Sequence, residues 1–183
     1  MFPAMRRIRQ QIPDDEAIAV LKRGEDGVLA LSGPDGYPYA VPVNYVYDGS
    51  AHDRGRLIFH GALTGHRMDC IAHNPKASFC VVGCNTVLPA DFSTEYVSVI
   101  CFGTIHVIDD DTAKRQAAET LGAHFSPDSV GQALDEEIAS TWRRLCMYEM
   151  VIEHMTGKES KSAMKRRIAA ARAAAEGPEP DAA

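Results

Sequence analysis

Val28-Leu29-Ala30-Leu31-Ser32, Gly33-Pro34-Asp35-Gly36, then Tyr37-Pro38-Tyr39-Ala40-Val41-Pro42-Val43-Asn44-Tyr45-Val46-Tyr47 reads as strand, tight turn, strand. A link this short cannot carry a parallel crossover, so the two strands pair antiparallel. In the second strand Val41, Val43, Tyr45 and Tyr47 share one face by period two. Pro38 and Pro42 do not suit a central strand. They imply an edge, a bulge, or backbone left free to meet a ligand.

The pattern continues outward from this hairpin. Upstream, Pro13-Asp14-Asp15-Glu16 opens a short helix with Ile18, Val20 and Leu21 as its apolar positions. Downstream, Arg56 to His60 is a third strand, and a helix starts at Thr64 and stops at Asn74-Pro75. Lys76 to Gly83 and Glu95 to Ile108 are further strands. Asp109-Asp110-Asp111-Thr112 caps a helix to about His124, a second helix covers Asp135 to Arg143, and Cys146 to Glu153 is a last strand. Lys161 to Ala175 is a basic, alanine-rich helix, and the residues from Gly177 are expected to be disordered. Six short antiparallel strands with a few packed helices predict a six-stranded antiparallel β-barrel with helices, α+β in class. The domain is expected over 1–160, with the basic helix and tail over 161–183. Neither a GxGxxG nor a GxxxxGK[ST] pattern is present, so a dinucleotide Rossmann fold or a P-loop is not indicated.

The 183 residues suffice for one domain with a real core, and 45% hydrophobic with 24% charged residues is ordinary for a globular protein. A formal net charge of -6 argues against a general nucleic-acid binder, which needs a basic face. The five cysteines read as reduced thiols, and no second Cys or His pair stands at zinc spacing beside Cys80 and Cys84, so no metal site is expected. No window reaches the ~20 apolar residues of a membrane span, and Met1 to Gln11 lacks the apolar run of a secretory signal. The expected location is the cytoplasm, with no membrane partner.

Chemistry concentrates in Arg56-Leu57-Ile58-Phe59-His60-Gly61-Ala62-Leu63-Thr64-Gly65-His66-Arg67-Met68. A strand delivers the chain to a small-residue turn, and Thr64 is a good N-cap for the helix that follows. The first turn of that helix can receive a phosphate, with His66 and Arg67 adding a cation and a forked donor. The same residues also suit an ordinary capped surface helix. In the second strand Asn44 can bond the rim of a flat heterocycle, or be a satisfied buried amide or a bulge residue. His60, at its strand's end, is a candidate proton donor or a structural rim histidine. Trp142, the one tryptophan, suits core packing first and a place beside a bound ring second. The basic run of Lys158, Lys161, Lys165, Arg166, Arg167 and Arg172 reads as a solvated helix face, and it lacks aromatics for base stacking.

The ordered set of segments resembles the pyridoxamine 5′-phosphate oxidase-like superfamily of flavin-binding split barrels, in particular its nitroimidazole-resistance (Nim-type) branch. The matching pieces are Leu29 to Ser32, Gly36 to Tyr45, Leu57 to Ala62, Gly65 to Asp69, Asn74-Pro75, Tyr96 to Thr104 and Thr156-Gly157-Lys158. The resemblance implies a homodimer with two FMN sites at its interface (FAD being the other candidate). It places Val41, Pro42, Val43 and Asn44 beside the isoalloxazine. His60, Gly61, Ala62, Thr64, Gly65, His66 and Arg67 then surround the ribityl phosphate. The Arg-rich substrate signature of the pyridoxal-phosphate-making enzymes is absent, so vitamin B6 oxidation is not expected. The implied activity is FMN-dependent reduction of a small organic acceptor, such as a nitroaromatic, with electrons from NAD(P)H. The alternative is a flavin- or haem-binding carrier of the same fold.

Overall fold

The computed structural model describes Phe2 and residues 4–176, with side chains described as far as Arg172. The tail expected to be disordered, from Gly177, lies outside the described residues. The elements in chain order are β1 (Gln11–Ile12), α1 (Asp14–Arg23), β2 (Asp26–Ser32), β3 (Pro38–Asn44) and β4 (Val46–Asp48). They continue with β5 (Arg56–Ala62), α2 (His66–His73), β6 (Lys76–Leu88), β7 (Ser93–Val107), α3 (Asp111–Phe125), α4 (Gln132–Thr141), β8 (Leu145–Glu159) and α5 (Lys161–Glu176).

The opening hairpin pairs residue for residue from Asp26 opposite Asn44 to Ser32 opposite Pro38. Its turn closes through Gly36 N–H to the Gly33 carbonyl (3.0 Å) and Gly33 N–H to the Tyr37 carbonyl (2.8 Å). Gly36 sits at φ 86, a conformation that glycine reaches without a Cβ clash.

All pairings are antiparallel. The sheet runs β3-β2-β6-β7-β8-β5-β4, with β1 attached to β8. The expectation of six strands is therefore corrected to eight, in an open split barrel. One extra strand is the short β1. The other arises because the stretch Tyr37 to Tyr47 breaks at Tyr45. That side chain leaves the ladder for the core, is fully buried, and donates its hydroxyl to the Leu21 carbonyl at 2.7 Å. Burial pushes its phenol pKa well up.

Closure fails between β3 and β5. Among the described residues β3 pairs only with β2, and β4 covers β5 only from Arg56 to Ile58. Two free backbone edges remain, Pro38–Asn44 and Phe59–Ala62. Pro38 and Pro42 thus lie on an edge strand, as their missing donors demand. Standing four apart, they share a parity, and one free edge accepts both without a lost ladder bond.

Alternation along β5 sorts its side chains. Leu57 and Phe59 point into the barrel, where Phe59 stacks on Tyr148 with ring centroids 5.2 Å apart. Ile58 points outward into a second cluster with Met147, Ala117, Ala118 and Ile138, which seats α3 and α4 on the sheet. Trp142 packs against this cluster with the Lys114 ammonium 4.2 Å from its ring centroid. Asp110 caps α3 by accepting from the Ala113 N–H at 2.9 Å.

The basic C-terminal helix differs from the expected solvated face. Arg167 makes a bidentate pair with Glu159, which is 2% exposed, and reaches Glu16 at 3.1 Å. Arg166 pairs with the buried Glu95. Two carboxylates turned inward at the strand ends call for cations, and α5 supplies them.

Candidate functional site

The open seam of the barrel positions the candidate site. β5 ends in Gly61-Ala62, and the chain turns through Leu63-Thr64-Gly65 into α2. Thr64 is not the N-cap. Gly65 takes that place at φ 124, a conformation a threonine does not readily adopt, and Thr64 stays exposed in the turn. The Gly65 carbonyl accepts from the Met68 and Asp69 amides at 2.8 and 3.1 Å. The amides of His66 and Arg67 lie ahead of the first helical bond, at the positive end of the dipole.

This turn bridges both free edges. The His66 ring meets Tyr39 of β3 edge-on at 4.8 Å, and Cys70 Sγ lies 3.7 Å from His66 Nε2. Arg67 reaches the opposite side. Its Nη1 donates to the Tyr148 hydroxyl at 2.6 Å, and its guanidinium carbon stands 5.6 Å from the Tyr148 ring centroid. Gly61 makes this approach possible, because a Cβ there would come within 3.2 Å of Arg67 Nη2 and 3.6 Å of the Tyr148 ring. Among the described residues no carboxylate pairs with Arg67. A half-buried guanidinium without a counter-ion among the described residues, beside free helix amides, has the chemistry to receive an anion.

The electrostatics follow from that cation. Burial pushes the Tyr148 phenol up to about 12 against the pull of Arg67, so the hydroxyl stays protonated at neutral pH. His60 is held below the ordinary imidazole value, first by desolvation and then by Arg67. Its ring is therefore neutral at pH 7.

The other expected site residues fall on two faces. Val41 and Val43 turn inward, half-buried, and pack on the core beside Tyr39. Pro42 and Asn44 turn outward and are exposed. The Asn44 amide donates to the Glu25 carbonyl at 3.1 Å, so it has a partner within the chain. Gly61 faces Arg67, while His60 and Ala62 face the other way. They open onto a groove of about 450 Å³ between β5 and α3–α4, lined by Leu121, Leu134, Ile138 and Met147.

On the outer face of β3-β2-β6-β7 an apolar stretch lies open among the described residues. Pro42, Val28, Cys80 and Ile100 form one register row across it. Val28 and Ile100 are exposed, and the neighbouring Val82 is 60% exposed.

A cleft of about 500 Å³ under α5 lies far from this chemistry, and its buried carboxylates are already paired with Arg166 and Arg167. Tyr39 and Tyr148 were not singled out from sequence. Only the strand register, which sets Phe59 opposite Tyr148 and Gly61 opposite Cys146, brings Tyr148 to the site. No local pattern signals it.

Comparison with known proteins agrees with this architecture. The family model for pyridoxamine 5′-phosphate oxidase matches residues 13–159, and the chain belongs to that family. No curated protein matches it. Among solved structures, it is similar to a Bacteroides thetaiotaomicron protein named for 5-nitroimidazole antibiotic resistance. That match has 18% identity and a TM-score of 0.67, covering 81% of this chain and 86% of that one. The FAD and heme binding protein of Mycobacterium smegmatis matches at 22% identity and TM-score 0.66, covering 83% and 74%. A FAD-binding protein of Mesorhizobium loti matches at 21% and 0.57, covering 82% and 97%. At these identities the likeness establishes the fold. α5 lies beyond the span of the family match.

Proposed function

We propose that this member of the pyridoxamine 5′-phosphate oxidase family binds a flavin, FMN in the first place, as a homodimer, and uses it as an oxidoreductase. The observation that carries the reading is Arg67, a half-buried guanidinium with no carboxylate partner among the described residues, beside the free amides of α2. One guanidinium and one helix N-terminus suit a single terminal phosphate, which favours FMN over FAD. The solved relatives named for FAD support a flavin in this fold.

The chemistry such a group supplies when bound is the passage of two electrons from NAD(P)H to a small organic acceptor, for instance a nitroaromatic. The chain's own residues do the holding. Arg67, fixed by the Tyr148 hydroxyl, and the His66 and Arg67 amides take the phosphate. Outward-facing Pro42 and Asn44 offer apolar contact and an amide beside the uncovered sheet face. A second copy seated on Val28, Val82 and Ile100 would exclude water there and complete the pocket. Five free cysteines fit a reducing cytoplasm, and among the described residues no helix is long and apolar enough to cross a membrane.

The test is the purified protein's visible spectrum, followed by a flavin titration of wild type and Arg67→Ala. Flavin bands are expected. Arg67→Ala should weaken binding by about 1.5–3 kcal/mol, the worth of a hydrogen bond to a charged group. A colourless protein that takes up no added FMN would overturn the proposal, and a Soret band would point to haem. Bleaching by NADH or NADPH under nitrogen, with recovery on adding an acceptor, separates turnover from carriage.

A further inference from the structure

The groove on the far face of β5 carries a second message. Period-two alternation puts the free cation Arg67 against one face of the strand, beside Gly61, and leaves the other face to His60 and Ala62. The two faces have opposite chemistry. The floor of the groove is Leu121, Leu134, Ile138 and Met147, with about 450 Å³ of space, enough for a molecule of one or two fused rings. Its rim carries one carboxylate, Glu137, and one guanidinium, Arg144, neither in an ion pair among the described residues. Their charges offset, so the mouth selects for neither sign. The remaining polar side chains of the lining are Thr141, whose hydroxyl donates to the Glu137 carbonyl at 2.9 Å, and His60, an imidazole held below its ordinary pKa by desolvation and by Arg67 and able to exchange one hydrogen bond with a ligand's polar edge.

We infer that this groove binds an uncharged, flat, largely apolar organic molecule and discriminates against phosphorylated ones. As the pocket of the acceptor it rests on the flavin reading; as a binding site it does not. A phosphate ester entering here would bury a dianion on an apolar floor with one offset guanidinium for company, and burial of a charge without a partner is costly. The strand thereby sorts two ligands, a phosphate to the Arg67 side and a neutral ring to the groove.

A matched pair of probes tests this on protein held in saturating inorganic phosphate, which occupies the Arg67 side and leaves only the groove to be compared: 2-naphthol and 2-naphthyl phosphate, which differ only in the charged group. Trp142 packs against the same cluster and reports occupancy by its emission, with calorimetry in parallel. Wild type should bind the naphthol at least tenfold tighter than the ester. Glu137→Lys, at an exposed position of α4, makes the mouth net positive. It should tighten the ester at least tenfold and leave the naphthol within twofold. Equal or reversed preference in wild type would overturn the inference. So would no binding of either probe at millimolar concentration, as when a second copy covers the groove, or an ester affinity unmoved by Glu137→Lys. FMN titration of the same proteins without phosphate reports separately on the Arg67 site, so failure at one is distinguishable from failure at the other.

Discussion

Replacing Arg167 by alanine should destabilise the fold more than any other surface substitution on α5. The Glu159 carboxylate is 2% exposed, and among the described residues both its oxygens accept only from the Arg167 guanidinium, at 2.8 to 3.2 Å. A unit-charge pair at 2.8 Å is worth roughly 6 kcal/mol at an effective dielectric of ~20, before the cost of desolvating the carboxylate. Arg167 itself is about one-third exposed, which lowers the gain. Stranding a buried carboxylate by removing its partner costs ~3–5 kcal/mol, and that is the expected loss for Arg167→Ala. Urea unfolding followed by far-UV circular dichroism and Trp142 fluorescence measures it. Glu159→Gln in the same background should recover part of the loss, because an amide is cheaper to bury than an unpaired charge. A loss under about 1 kcal/mol in Arg167→Ala, with no recovery in the double variant, would refute the view that α5 neutralises the barrel's buried acids.

Three further outcomes follow from the site and the sheet. Gly61→Val places methyls where Arg67 Nη2 now lies and should weaken FMN binding about tenfold or more, while urea unfolding falls by roughly 1–3 kcal/mol from overpacking. His60 should titrate below 6.5 in an NMR pH series, and Arg67→Ala should move its midpoint upward by removing the second of its two causes. Because the folded value is depressed, His60 costs the fold nothing above 6.5. It erodes stability as pH falls from 6.5 toward the folded value, so removing the histidine should flatten that part of the stability–pH curve. Ile100→Glu on the uncovered sheet face should shift the protein toward monomer in sedimentation velocity; an unchanged association state would remove that face as the dimer contact.

What sequence revealed and what it concealed divide along a physical line. Local chemistry was legible: Gly33-Pro34-Asp35-Gly36 marked the hairpin turn, Pro38 and Pro42 implied an edge, a bulge or backbone free to meet a ligand and the edge is found, and Asp109 to Thr112 marked a helix start, which Asp110 caps. Where a tertiary interaction overrode a local pattern, the reading missed. Tyr45 continued its strand by period two, yet the Leu21 carbonyl and the core drew it out of the ladder. Thr64 had the better capping side chain, yet the turn needed a positive φ and Gly65 took the place. At the site, Arg67 was legible as a cation in a first turn. Its anchoring by Tyr148, 81 residues on, was not, because that contact exists only through the β5–β8 register. The arginines of α5 looked solvated because local sequence shows neither that Glu159, eight residues before Arg167, turns inward nor that Glu95 and Glu16 lie opposite them.

The unpaired edge of β3 has one more consequence. A split barrel keeps its seam open, and an open seam is a row of backbone groups that any passing strand can read. On β3 that row runs Pro38-Tyr39-Ala40-Val41-Pro42, and the two prolines take amide donors out of it. The chain can therefore keep its seam open while denying the same edge to a neighbour's strand. The prolines that first suggested an irregular strand make that edge a poor template for polymerisation, and they do so without closing the seam.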